Sequence, residues 1–410
     1  MNENYFKLNE CRYRGLFGNI NYWYGWCKPI FEDVLKKWQL GENFSNETIK
    51  KTSEFLGIDH NFKSENSLND YENFEIKFSD TNNLIKRLYR EVEQNKNLSL
   101  ILNSQVIKIE LLENKYELTL IHNEKKIKII CKFLIIGAGC FENSRLLLYS
   151  KIHSINNFLY SHKCLGKNFY DNIQLESGEF VADQNRFLSY FDKNFKNSDN
   201  ELFQLRNKKL IDNKKSLNHT VTLTFKNHPD KLKDFVRKSL CVSSKFNDKI
   251  SKKLNDFLCL RGILINLTPS ERNNSEILLS NKKFDKNGIN QINLNYSWRN
   301  DEQLRKTYEN VTKEFLKDLV KHDLGRGYLF NFKKYSDNNN LPGSSYHPSG
   351  GTCIGSNVSN GCVDKNLEVF NHKNLYVLGS SVFPKGVVIN PTYSIVLLSH
   401  RLADRLSSLI

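Results

Sequence analysis

The chain has 410 residues, 39% hydrophobic and 12% aromatic, enough for two domains with a buried core and too apolar for a disordered polypeptide. Its formal charge of +15 comes from basic residues spread along the chain, with only short clusters such as Lys208-Lys209 and Lys214-Lys215, so it reads as a lysine-biased surface with no nucleic-acid module. Nine cysteines, an odd number without a C-x-x-C pair, argue against structural zinc and a disulfide framework, and no metal site is expected. The start Met1-Asn-Glu-Asn is polar, and no apolar run reaches the roughly 18 residues of a membrane span, so a soluble, cytoplasmic protein is expected.

Taken in order, residues 11–30 are rich in glycine and aromatics, from Arg12-Tyr-Arg14-Gly15 to Trp23-Tyr-Gly25, which suggests tight turns or close approach to a ligand. Residues 31–56 carry helical periodicity broken at Gly41, and 57–78 read as a polar loop. Residues 82–95 form an amphipathic helix with Leu84, Ile85, Leu88 and Val92 on one side. The stretches Leu98–Leu102, Gln105–Ile109, Tyr116–Ile121 and Lys126–Ile130 look like strands, the last two half-buried and antiparallel. Phe133–Ile136 is fully apolar and ends in Gly137-Ala-Gly139, with a helix predicted to open at Asn143-Ser144. Strand, glycine turn and helix together make a doubly wound α/β junction.

Between 151 and 340 the pattern changes to strand candidates at 178–181, 220–225, 262–267, 276–279 and 291–296, followed by a long helix over 301–321. This is an α+β layer. From about residue 345 the chain returns to strands and glycines, and a final helix is predicted over 392–409. The chain thus reads as α/β plus α+β, with sequence-interleaved domains.

The C-terminal block holds the most specific pattern: Ser345-Tyr-His347-Pro-Ser-Gly-Gly-Thr352, Cys362-Val-Asp364, Gly379-Ser-Ser-Val-Phe-Pro384 and Asn390-Pro391-Thr392. It resembles the C-terminal signature of the glucose–methanol–choline (GMC) oxidoreductases. The segments 14–25, 133–148 (with Gly139, Glu142, Asn143 and Arg145) and 270–300 resemble further family motifs, in the family's order. The resemblance implies an FAD-dependent oxidoreductase acting on a CH–OH group of a small alcohol or sugar-like substrate. His347 occupies the position of the family's proton-accepting histidine, and Asn390 that of its second polar residue, which is histidine or asparagine. Gly18, Asn19 and Asn21 match the stretch along the flavin, and Val106 a main-chain contact to adenine. Gly379 and Ser380 match the strand end beside the diphosphate, and Gly139, Pro391 and Thr392 complete the expected cofactor set. The implied domains are an FAD-binding domain from 1–30, 79–150 and 345–410, a substrate domain over 151–344 with an antiparallel sheet, and a connecting or lid region over 31–78.

The sequence departs from the family's pattern at Gly351, at Cys353-Ile354, at Phe17 and Tyr24, and at Asp171-Asn172, where the family commonly has E-H. A full member also opens with a strand, a G-x-G-x-x-G turn and a helix. Nothing before residue 14 does so, and Gly137-Ala-Gly139 follows a later strand without the third glycine. The expectation is therefore an incomplete doubly wound (Rossmann-like) FAD-binding domain in an N-terminally truncated form, with FAD binding weakened or lost. The alternatives are half of a split enzyme completed by an N-terminal chain, or a non-catalytic remnant.

Overall fold

The structure, a computed structural model, describes residues 12–29, 31–38, 40, 44–66, 68, 71–156, 158–191, 202–207, 219–226, 260–269, 275–295, 302–330, 343–384 and 390–409. The lysine clusters at 208–209 and 214–215, and residues 270–274 and 296–300 of the third motif segment, lie outside these. The first half holds β1 (Trp26–Cys27), α1 (Glu32–Lys37), α2 (Asn46–Leu56), β2 (Ser64–Asn66), β3 (Tyr71–Phe74), β4 (Lys77–Phe78), α3 (Thr81–Gln94), β5 (Ser104–Leu112), β6 (Lys115–His122), β7 (Lys125–Cys131), β8 (Leu134–Ile136) and α4 (Gly139–His153). The second half holds β9 (Lys167–Phe169), β10 (Ile173–Asp183), α5 (Gln184–Phe191), β11 (Leu202–Asn207), β12 (His219–Phe225), β13 (Leu260–Pro269), β14 (Ser275–Phe284), β15 (Asn290–Asn295), α6 (Glu302–Lys321), β16 (Arg326–Leu329), β17 (Gly343–Ser344), β18 (Leu375–Val377) and α7 (Thr392–Ser407).

The largest sheet is antiparallel and runs β16-β10-β13-β12-β11-β3-β2, with β17 added alongside β10. Its register pairs Phe180 with Ile263 and Leu223 with Ile265. On α6, Tyr308, Phe315 and Leu319 recur at helical spacing and are almost fully buried, in one cluster with Leu205, Val221 and Ile263 of the sheet. Each such side chain contributes about 2 kcal/mol of burial. Strands β2 and β3 come from the stretch that reads as a polar loop in sequence. Ser64-Glu-Asn66 has no apolar pattern, and its pairing with β3 (Glu65↔Asn73) is what makes it a strand.

A second layer holds the β5-β6-β7 meander and a parallel pair, β8 with β18, in register Leu134↔Leu375 and Ile136↔Val377. Ile109, Tyr116, Leu134, Ile136, Leu147, Val363, Leu375, Val377 and Leu398 form its core with Trp38 and Phe383, whose rings stack 5.1 Å apart. The Leu134 N–H donates to Asn374 O and the Leu378 N–H to Ile136 O, both at 2.9 Å, so the backbone groups of Ile135 face the opposite edge of β8. No strand pairs that edge among the described residues, and Ile135 is 46% exposed. The stretch 98–102, apolar enough to suggest a strand, is irregular. Its Leu98, Leu100, Ile101 and Leu102 are each about half exposed, and no strand among the described residues pairs with it. No helix among the described residues is long and apolar enough to cross a membrane.

Candidate active site

Three loops meet at the C-terminal end of the parallel pair. The first is the turn after β8. Gly139, at φ 84, opens α4 four residues before the start expected at Asn143. Asn143 is fully buried: its Oδ1 accepts the Ala138 N–H at 2.7 Å, while Nδ2 donates to Leu378 O at 2.9 Å and to Ser381 Oγ at 2.8 Å. One side chain thus ties the start of α4 to the loop that follows β18.

The second loop is Gly379 to Val382. Gly379 has φ 121 and ψ −177, a conformation essentially closed to residues with a Cβ. It leads into a 3₁₀ turn over Ser380–Val382.

The third loop carries His347. The N–H groups of Gly350, Thr352 and Ile354 donate to Ser380 O, Ser381 O and Val382 O at 2.8–3.1 Å, and Ser380 Oγ donates to Pro348 O at 2.6 Å. Gly350, at φ 82, lies so close to β9 that a Cβ would sit 2.0 Å from Asn168 O. On the other side, Ser349 and Tyr170 exchange two backbone hydrogen bonds of 2.9 Å. The His347 N–H donates to Asp171 Oδ1 at 2.8 Å, and Ser344 Oγ donates to Asp171 Oδ2. The Asn172 carboxamide stands 3.5 Å from His347 Nδ1. His347 keeps part of its surface, but enough protein crowds it that burial pulls the imidazole down to about 4. Burial pushes the Asp171 carboxyl the other way, up to about 7, against hydrogen bonds from Ser344 and the backbone N–H groups of His347 and Asn172.

The loops that carry His347, Gly379–Ser380 and Gly139 are therefore tied together through neighbouring residues: Ser380 bonds Pro348 and Gly350, and Asn143 bonds Ala138, Leu378 and Ser381. Asn390, half-buried, precedes α7, where Pro391 is the N-cap and Thr392 the first helical residue. Gly18, Asn19 and Asn21 form a short 3₁₀ turn in which the amides hold the loop itself. Asn19 Oδ1 accepts the Tyr13 N–H at 2.7 Å, and Asn21 Nδ2 donates to Leu16 O and Gly18 O. Val106 sits on β5 at a bulge. Its neighbour Gln105 donates to Asp285 Oδ2, which also receives Arg145. Arg145, Arg12 and Arg14 converge on Glu142 at the start of α4. Burial pushes the Glu142 carboxyl up, and Arg145, Arg14 and Arg12 more than offset it, leaving it below the ordinary carboxylate range. A cleft of about 680 Å³ lined by Lys132, Glu368, His372 and Arg405 lies toward the opposite end of β18 and includes none of these residues.

Residues 271–399 match the family described as GMC oxidoreductase. Over these residues the chain carries a GMC oxidoreductase C-terminal domain. Solved structures share its fold. Pyridoxine 4-oxidase from Mesorbium loti is 12% identical with a TM-score of 0.54, over 90% of this chain and 70% of that one. An Aspergillus oryzae RIB40 formate oxidase variant, studied for its FAD modification, is 14% identical with a TM-score of 0.54, over 97% of this chain and 84% of that one. Among curated proteins no sequence matches.

The hydrogen-bonding residues beyond the motifs are Asp171 and Ser344. The sequence marks Asp171 only as a departure from the family's pattern and gives no sign that Ser344, far along the chain, reaches it.

Proposed function

We propose that this GMC oxidoreductase oxidises a CH–OH group of a small alcohol or sugar-like substrate with FAD, His347 serving as the proton acceptor and Asn390 stabilising the developing alkoxide. The observation that carries the reading is the seating of His347 between 170–172 and the Gly379–Ser381 turn, which fixes the backbone of the imidazole on two sides.

The residues suit a flavin dinucleotide at the 379–392 side. The Gly379 turn has no Cβ to block close approach, α7 opens without a side-chain cap, and Thr352 Oγ1 is buried with no hydrogen-bond partner among the described residues. When bound, the flavin supplies the acceptor for the hydride leaving the carbinol carbon. The protein's part is to hold the hydroxyl and take its proton. His347 is neutral at pH 7 because of its burial, so its ring has a lone pair available, and the Asn390 amide supplies an N–H to the oxygen as charge builds on it. On this reading, 1–30, 79–150 and 345–410 hold the cofactor, 151–344 shape the substrate side, and 31–78 connect them, with β2 and β3 joining the large sheet.

A second reading has its own support. The edge of β8 that no described strand pairs, with the exposed apolar stretch 98–102, suits a polypeptide that adds strands there and completes the cofactor site. Two measurements test them: His347→Ala should lower turnover by about 10²- to 10⁴-fold while leaving flavin content unchanged, and flavin content is compared with and without a co-purifying partner. Unaltered turnover in that variant would remove His347 from the chemistry. Flavin that appears only on co-purification with a partner would favour the second reading.

A further inference from the structure

We infer that Asn172 is a positioning residue that sets the tautomer of His347, with its amide oxygen facing Nδ1 in the working enzyme; this rests on reading His347 as the proton acceptor. A neutral imidazole carries one N–H. If the carboxamide NH₂ donates to Nδ1, the proton lies on Nε2 and the ring offers the substrate a donor. If the carboxamide oxygen accepts from Nδ1–H, Nε2 keeps its lone pair and can take a proton from a hydroxyl. The two orientations differ by a flip that exchanges atoms of nearly equal size, so the chemistry of the site decides between them.

The geometry makes Asn172 suited to this control. Its amide nitrogen is 3.5 Å from His347 Nδ1, and the residue is 2% exposed, so the carboxamide has no room to turn to solvent. Its own backbone is pinned to the histidine loop, since the Ser345 N–H donates to Asn172 O at 2.8 Å. The adjacent Asp171 fixes the same loop through His347 N–H and Ser344 Oγ. Amide and imidazole therefore face each other across two segments locked in register, and a flip of the amide is the small motion that exchanges the tautomers.

The test is ¹⁵N NMR of histidine-labelled protein near pH 7.5, with the His347 signals assigned by their loss in His347→Gln. Wild type should show Nδ1 protonated and Nε2 unprotonated. Asn172→Ala should shift the ring toward Nε2–H and lower kcat by at least about tenfold with KM little changed, since the wrong tautomer beside a comparable base costs up to about 10⁴-fold. Asn172→Asp, which still accepts from Nδ1–H, should keep the wild-type pattern and guards against a folding defect in the alanine variant. A wild-type ring protonated on Nε2, or a pattern unmoved in Asn172→Ala, overturns the inference. If the tautomer follows Asn172 but His347→Ala still turns over, the inference stands and the base assignment falls. If His347→Ala is dead and wild type carries Nε2–H, His347 acts as a donor and the inference falls.

Discussion

Asp171→Asn isolates the buried carboxyl beneath the histidine loop. Asp171 is 5% exposed and titrates at about 7 instead of 3.8, chiefly because burial disfavours its charged form. Between those values the folded state binds the proton more tightly than the unfolded state, so its contribution to stability is full below pH 3.8 and is lost as pH rises through 7. At about 1.4 kcal/mol for each tenfold change in proton affinity, the loss is about 4 kcal/mol. Asparagine keeps the acceptor for the His347 N–H and can donate to Ser344 Oγ, and it has no charge to develop. Urea unfolding of both proteins from pH 4 to pH 8 should show wild type losing up to about 4 kcal/mol relative to the variant. His347, lowered from 6.5 to about 4, acts in the opposite sense: its stabilisation is present above 6.5 and is lost as pH falls through 4. It is common to both proteins and cancels in the difference. A difference that stays flat with pH, or that grows in favour of wild type toward alkaline pH, would refute the reasoning.

The other predictions address the three loops. His347→Ala should lower kcat by about 10²- to 10⁴-fold, the usual contribution of a proton-transfer group, with the oxidised-flavin absorbance retained. Asn143→Ala removes a buried amide with three partners and should cost about 3–5 kcal/mol in urea unfolding. A loss below about 1 kcal/mol would mean that α4 and the 379–381 turn are held by something else. Gly350→Ala forces a Cβ to 2.0 Å from Asn168 O at φ 82 and should lower stability by about 3 kcal/mol or more, read as a fall in Tm.

Much of the fold is legible because its signals are local. The helices α3, α6 and α7 follow their apolar periodicity, and β6 and β7 alternate as half-buried strands do. Elements defined by distant partners are not legible. Strand β2 is made a strand by pairing with β3 and β11 by pairing with β12 and β3, and 98–102 carries a strand pattern but has no neighbour to pair with among the described residues. The start of α4 is displaced to Gly139 because the Asn143 side chain folds back to the turn, a contact that propensity does not encode. In the site, His347, Gly379 and Ser380 come from contiguous motifs. Asp171, which pins the histidine loop, acts across 176 residues of chain, and a single sequence gives no cue to such a pairing.

The central claim is that the loops around His347 and Gly379 receive a flavin, and FAD uptake by the purified chain tests it most directly. Equilibrium dialysis against FAD, followed by amide hydrogen exchange, should give saturable binding of one FAD per chain, with slowed exchange in the Gly379–Val382 turn and the first turn of α7. A chain that takes up no FAD at saturation, or whose protection falls on other segments, would contradict it.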